Sequence, residues 1–171
     1  SSIEGHNMHL GAASMLGATG ANASKNRIPG NYDVLTYSNE DLKEVSSIGF
    51  TVHNIVVSDP TVFTEGNIKE IKEKFHKNSL FIGNSRGRYG GGLVNPDENI
   101  RKQTITFVKD TCVISAKLGC HSTYLRPGSI NPSGPWQPHP ENHSDEVFER
   151  LINSTKDIAS VAESEGMMLL L

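Results

Sequence analysis

With 171 residues, 36% of them hydrophobic and 20% charged, and a formal net charge of -3, the chain fits one ordinary globular domain. The slight acidic excess offers no global basic field and argues against a nucleic-acid binder. No stretch has the length and apolarity of a membrane span, and the two cysteines, Cys112 and Cys120, lack metal-ligand company or a disulfide framework and are read as core residues.

Residues 9–23 form a weakly hydrophobic run of small residues that ends in Ala21-Asn22-Ala23, an A-x-A cleavage pattern. The run resembles the back half of a bacterial export signal of the twin-arginine type, without the arginine pair; the first Lys or Arg is Lys25. Residues 1–30 are therefore read as a signal-like leader and linker, which implies export or a periplasmic location in a bacterium. The alternative is a plain glycine-alanine leader on a cytoplasmic protein.

From residue 31 the chain alternates. Tyr32–Tyr37 is a strand candidate, followed by Ser38 and Asp41, a hydroxyl and a carboxylate spaced to cap a helix reciprocally. Leu42, Val45 and Ile48 give that helix a buried stripe and Gly49 stops it. Phe50–Val57, rich in β-branched residues, is the next strand, with His53 as a core histidine. A second helix begins near Glu65 to Asn67 and buries Ile68, Ile71 and Phe75. Leu80–Gly83 is a short strand running into the loop Asn84–Gly92, which holds two arginines and four glycines.

A long helix follows Pro96-Asp97, carrying Ile100, Thr104, Phe107, Val108, Thr111, Ile114 and Leu118 at helical intervals and closing at Gly119. Cys120–Leu125 is a strand. A last helix starts at Ser144, presents Val147, Leu151, Ile158 and Ala162 on one stripe with Phe148, Ile152 and Ala159 beside it, and ends at Gly166. Met167–Leu171 closes as a buried strand. This is the rhythm of βα units on a parallel sheet, open or closed into a barrel. The first βα turn is a poor phosphate-binding turn, and the conspicuous loops follow the third and fourth strands. Both points favour the barrel.

The loop Tyr124–Ser144 joins the fourth strand to the last helix. Its prolines stiffen it, so it can hold hydrogen-bonding side chains at set positions. Its residues also carry a family resemblance: Leu118-Gly119 before a strand, Arg126-Pro-Gly-Ser129, Asn131-Pro132, Trp136, Pro138-His-Pro-Glu-Asn142, Arg150-Leu151 and Ala162-Glu163-x-x-Gly166. In this order they resemble the sugar phosphate isomerase/epimerase family, the xylose isomerase-like TIM barrels, over residues 31–171 and most densely from residue 81.

The resemblance implies an α/β fold, a partial (β/α)8 TIM barrel of about the first five strands and four helices, incomplete over 31–171. It implies a sugar or sugar phosphate substrate, with isomerisation or epimerisation by proton transfer next to a carbonyl through an enediolate. It also implies a divalent metal (Zn, Mn, Mg or Co) in the complete barrel, held by carboxylates and a histidine on later strands. The first such glutamate is expected just past Leu171, so no metal ligand or catalytic residue carries over and this fragment alone is expected to be inactive.

A complete barrel needs about 250 residues. The open edges are expected to meet another copy or a missing C-terminal half-barrel. The candidate substrate contacts are Asn84, Arg86, Arg126, Trp136, His139 and Asn142: guanidinium forks for a phosphate or carboxylate, amide and imidazole groups for hydroxyls, and a flat ring for a sugar face. Arg86-Gly87-Arg88 with Gly90–Gly92 is a further candidate, wrapping an anion through backbone N–H groups. The rival functions are a non-catalytic carbohydrate-binding or interaction module and an apurinic endonuclease-like hydrolase of the same fold, which the acidic balance disfavours.

Overall fold

The computed structural model describes residues 11–12 and 33–171. Five strands form one parallel sheet in the order β1 (Gly11–Ala12), β2 (Val52–Val57), β3 (Phe81–Gly87), β4 (Ser122–Tyr124) and β5 (Met168–Leu170). The helices α1 (Asn39–Ser47), α2 (Glu65–Lys77), α3 (Glu98–Lys117) and α4 (Asp145–Ser164) connect successive strands. The order of strands in the sheet equals their order in sequence, as it does around a TIM barrel.

Alternation along the strands divides the sheet into two faces. His53, Ile55, Val57, Ser85, Gly87, Thr123 and Leu169 share the register of the outer face, which the helices cover. There the sheet packs into a core containing Leu42 and Val45 of α1, Ile68, Ile71 and Phe75 of α2, Val108 and Cys112 of α3, and Ile158 and Ala162 of α4. Gly87 allows α3 to approach closely, since a Cβ there would lie 3.0 Å from the Phe107 ring. The inner face carries Asn54, Val56, Asn84, Arg86, Ser122, Tyr124, Met168 and Leu170. It is the wall that a closed barrel would enclose.

The helix signals act as expected. Ser38 and Asp41 form the reciprocal cap of α1, with Ser38 N–H donating to Asp41 Oδ2 at 2.9 Å and Asp41 N–H donating to Ser38 Oγ at 3.1 Å. Gly49, Gly119 and Gly166 end α1, α3 and α4 at positive φ. In α4 the buried stripe runs Val147, Ser154, Ile158 and Ala162, while Leu151 is half-buried. Ser154 is tolerated there because its hydroxyl donates to Leu93 O at 2.8 Å.

Three expectations need correction. The strand at Tyr32–Tyr37 is absent over its described part, where Val34–Thr36 makes a 3-10 turn. Asp33 is the reason: its Oδ1 accepts Leu35 N–H and its Oδ2 accepts Ser58 N–H at the end of β2. The turn lets Tyr37 stack on His53, with ring centroids 5.4 Å apart. The first strand is instead Gly11–Ala12, inside the run read as a leader; the rest of residues 1–32 lies outside the described residues. The third strand extends to Gly87, taking Asn84–Gly87 out of the loop. Ile48 and Ile100, placed on buried stripes by spacing, are 49% and 42% exposed. Ile48 is the C-cap of α1 and Ile100 lies in the first turn of α3, so both stand at helix ends rather than on the central buried turns.

Both cysteines are buried and free, and burial pushes the Cys112 thiol up to about 11 and the Cys120 thiol up to about 12. An aromatic disulfide reagent at pH 8 is expected to label neither in the native protein and both in denaturant. Because the raised groups hold protons that the unfolded chain releases near pH 8.5, stability should fall as pH climbs from there toward 11. Fast labelling of either thiol in the folded protein would contradict this core.

Candidate substrate cleft

A cleft of about 380 Å³ runs from the middle of β2 to the carboxyl-terminal parts of β3 and β4, lined by Asn54, Ile55, Asn84, Ser85, Arg86, Tyr124, Arg126 and Trp136. The polar residues reach it through a bulge. His53 pairs with Ile82 but Ile55 pairs with Ser85, so β3 carries one more residue than β2 in this interval. The Asn54 side chain fills the gap in the ladder, its Oδ1 accepting the Asn84 N–H at 2.9 Å. Gly83 makes room, since a Cβ there would lie within van der Waals overlap of the Asn54 amide. Ser122 Oγ in turn donates to Asn84 Oδ1. Both amide oxygens are thereby used within the protein, and neither Nδ2 is bonded among the described residues.

Arg126 stitches two loops together. Its Nη2 donates to Gly87 O at 2.8 Å and Tyr89 O at 2.9 Å, and its backbone N–H donates to Tyr89 Oη at 2.8 Å. The guanidinium carbon lies 4.9 Å from the Tyr89 ring centroid and 5.8 Å from that of Trp136, a stacking that suits a weakly hydrated planar cation. Burial raises the pKa of Tyr89, keeping its phenol neutral beneath this cation. Below it, the backbones of the loops touch: a Cβ on Gly128 would lie 2.3 Å from Gly91 Cα, and Gly128 sits at φ +82.

Of the six residues singled out in sequence, Asn84, Arg86, Arg126 and Trp136 converge on this cleft. Trp136 is 75% exposed, so its ring is available to a ligand. Asn142 lines a neighbouring groove of about 460 Å³ with Pro127, Ser129, Pro138 and Leu171, but its carboxamide holds the loop together. Its Oδ1 accepts Ile130 N–H at 3.1 Å and its Nδ2 donates to Ser129 Oγ at 2.9 Å. His139 lines neither; its Nδ1 accepts Glu141 N–H at 3.2 Å and caps the 3-10 turn Pro140–His143.

Gly91 and Gly92 of the loop after β3 serve close packing, because a Cβ on Gly91 would lie 2.4 Å from Ser129 O and one on Gly92 would overlap Thr104, whereas a Cβ on Gly90 would meet nothing within 4 Å. Asn54 and Tyr124 are additional lining residues that sequence reasoning passed over. Asn54 had one visible signal, a lone carboxamide inside an apolar strand.

A parallel βα sheet whose strand order follows the sequence, with a cleft on its inner face, is the construction of half a TIM barrel. The family profile described as xylose isomerase-like TIM barrel matches residues 42–171, and the chain belongs to this family. No curated protein sequence matches it. Among solved structures, D-psicose 3-epimerase from Clostridium cellulolyticum H10, crystallised with D-tagatose, superposes with a TM-score of 0.70 at 19% identity, over 95% of this chain and 51% of that one. An L-ribulose 3-epimerase gives 0.63 at 15% identity over 95% and 48%, and the 3-keto-D-glucoside 4-epimerase of E. coli gives 0.64 at 18% over 96% and 56%. These likenesses are of fold. The chain spans about half the length of the structures it matches.

The divalent metal implied by the family does not fit the residues present. Among the described residues no three of His, Cys, Asp and Glu lie together as a ligand set. The cleft is walled by amides, rings, hydroxyls and two guanidiniums, which repel a dication.

The loop clasp is testable against an internal control. Gly119 and Gly128 both have positive φ, but a Cβ on Gly119 meets nothing within 4 Å. Gly119→Ala should cost about 1 kcal/mol from backbone conformation alone, whereas Gly128→Ala adds a backbone collision and should cost about 3 kcal/mol. Urea denaturation of the pair checks this, and equal losses would show that the two loops do not depend on the Gly91–Gly128 contact.

Proposed function

We propose that this chain forms the sugar-binding part of an isomerase or epimerase site that moves a proton next to a sugar carbonyl, with the proton-transferring carboxylates supplied by sequence outside these 171 residues. The observation that carries the reading is the meeting of Asn54, Asn84, Arg126 and the exposed Trp136 ring in one cleft on the inner face of a parallel sheet. Amide donors suit sugar oxygens, and an indole face suits the apolar side of a pyranose or furanose ring.

In this scheme the residues bind and orient. Asn54 and Asn84 offer their Nδ2 hydrogens to the carbonyl and hydroxyl oxygens, where donors also favour negative charge developing during enolisation. Trp136 covers the ring and shields it from water. Arg126 keeps the Trp136 loop and the loop after β3 in register. The base that takes the proton has no counterpart among the described residues of the lining, which include no carboxylate or imidazole.

That last feature equally favours a carbohydrate-binding module without turnover, and the two readings separate experimentally. Trp136 is the single tryptophan, so its fluorescence reports on the cleft directly. Titration with D-fructose, D-tagatose or D-psicose is expected to shift its emission, with Asn84→Ala weakening the response about tenfold. Absence of binding by any sugar, measured calorimetrically, would remove the sugar reading. The 171-residue chain is expected to show no epimerisation of these sugars. Turnover by it alone would place the base within it, while binding without turnover in a chain extended to full barrel length would establish the binding module.

A further inference from the structure

We infer that the site continues past Trp136 into a second compartment that takes an apolar, ring-shaped aglycone, so that its ligand is an aryl glycoside and not a free sugar. The inference rests on the sugar-site reading for the cleft and adds the neighbouring groove, to which that reading gives no role. Two independent observations point to it: the continuity of the two cavities and the spent polar groups of the groove.

The cleft of about 380 Å³ and the groove of about 460 Å³ share Tyr124, Arg126 and Trp136 as walls. Each space lies within the range of about 300–1,000 Å³ typical of small-ligand sites. A ligand confined to the cleft leaves the larger of the two empty and the Trp136 ring, 75% exposed at their junction, largely wet. Leu171, 83% exposed, stands on the groove side with Pro127, Pro135 and Pro138. Apolar surface presented in a concavity gains from being covered by an apolar group. The groove is also built before any ligand arrives. Prolines fix its backbone, and the Gly91–Gly128 contact holds its loop against the loop after β3. Little conformational freedom is lost when a rigid ring enters such a space.

The kind of group that enters is decided by the groove's polar atoms. Ser129 Oγ donates to Gln137 O at 2.7 Å and accepts from Asn131 N–H at 3.1 Å and Asn142 Nδ2 at 2.9 Å. Asn142 Oδ1 accepts Ile130 N–H, and Arg126 Nη2 is shared between Gly87 O and Tyr89 O. The loop thus consumes its own hydroxyl and amide. The Gln137 amide and the Tyr124 hydroxyl make no hydrogen bond among the described residues, and Tyr124 serves the cleft as well. A second sugar ring would bring several hydroxyls to these two partners, and each hydroxyl left unpaired in a desolvated groove weakens binding. A phenyl ring brings none, and it packs on proline and indole faces.

Isothermal titration calorimetry of the full chain with the methyl and phenyl β-glycosides of D-glucose and D-galactose, and with D-fructose, cellobiose and phenol, tests the inference. A phenyl glycoside should bind about ten- to a hundredfold more tightly than its methyl counterpart, with a more negative heat-capacity change. Leu171→Glu changes an exposed position outside the cleft. Checked for folding by circular dichroism, it should erase the phenyl preference and leave the methyl glycoside unaffected, whereas Asn84→Ala should weaken both alike and keep their ratio. If no phenyl glycoside exceeds its methyl partner, the aglycone compartment falls, and the sugar reading stands on the binding of D-fructose or a methyl glycoside. If phenol binds as tightly as the phenyl glycosides while D-fructose and the methyl glycosides do not bind, the aryl groove stands and the sugar reading falls. Cellobiose matching phenyl β-D-glucoside would show a second sugar in the groove and overturn its apolar assignment. A phenyl preference that survives Leu171→Glu in a folded protein places the ring elsewhere. The preference should persist in a chain extended to full barrel length, and its loss there, with further barrel residues filling the groove, overturns the inference.

Discussion

Parallel strand pairing is the constraint from which everything else in this protein follows. Because β2 to β5 all run the same way, each strand's carboxyl end, and the loop leaving it, arrives on one side of the sheet. Helices must then return the chain on the outer face, which dictates the β-branched and small residues found there and leaves the inner wall free to be polar. The pairing also explains why residues far apart in sequence, such as Asn54, Arg86 and Arg126, end at one cleft. No local motif has to bring them together.

Much of this architecture is legible in the sequence because helices announce themselves twice, by periodicity and by caps. Ser38, Asp97 and Ser144 cap where their side-chain oxygens precede a periodic run, and Gly49, Gly119 and Gly166 close those runs in the left-handed region. Strands have no such punctuation. Tyr32–Tyr37 has the composition of a strand, but a carboxylate at Asp33 that can bond Leu35 and Ser58 at once wins over β propensity. Conversely, Gly11–Ala12 has almost no strand character, and its pairing with Val52 and His53 is a matter of tertiary context. Tyr37 and His53 mutually supply the aromatic surface that makes a buried imidazole acceptable.

The cleft was legible only in part, for a related reason. Arginine, tryptophan and asparagine stand out in a proline-stiffened loop, so Arg126, Trp136 and Asn142 draw notice at once. Which of them faces a ligand depends on bonds that sequence does not display. Asn142 and His139 satisfy backbone N–H groups within their own loop, the ordinary fate of polar side chains in tight connections. Arg126 is partly structural as well, since a cation spanning two rings and two carbonyls holds the connection it belongs to. Asn54 escaped notice because a strand's facing is ambiguous until its partner's register is known.

The bulge at Gly83 has a consequence for how such a site can arise. Without the extra residue, the pairing of His53 with Ile82 would continue as Ile55 with Asn84 and Val57 with Arg86, turning both polar side chains toward the helices and Ser85 toward the cleft. A single inserted residue therefore exchanges the two sides of a strand's far end at a stroke. It leaves the hydrophobic half of β3 anchored where it was. A lineage, or a protein engineer, can move between an inert barrel wall and a charged, donor-rich one by indel rather than by accumulated substitution. The side chain of Asn54 acts as the splint that lets the backbone survive the change.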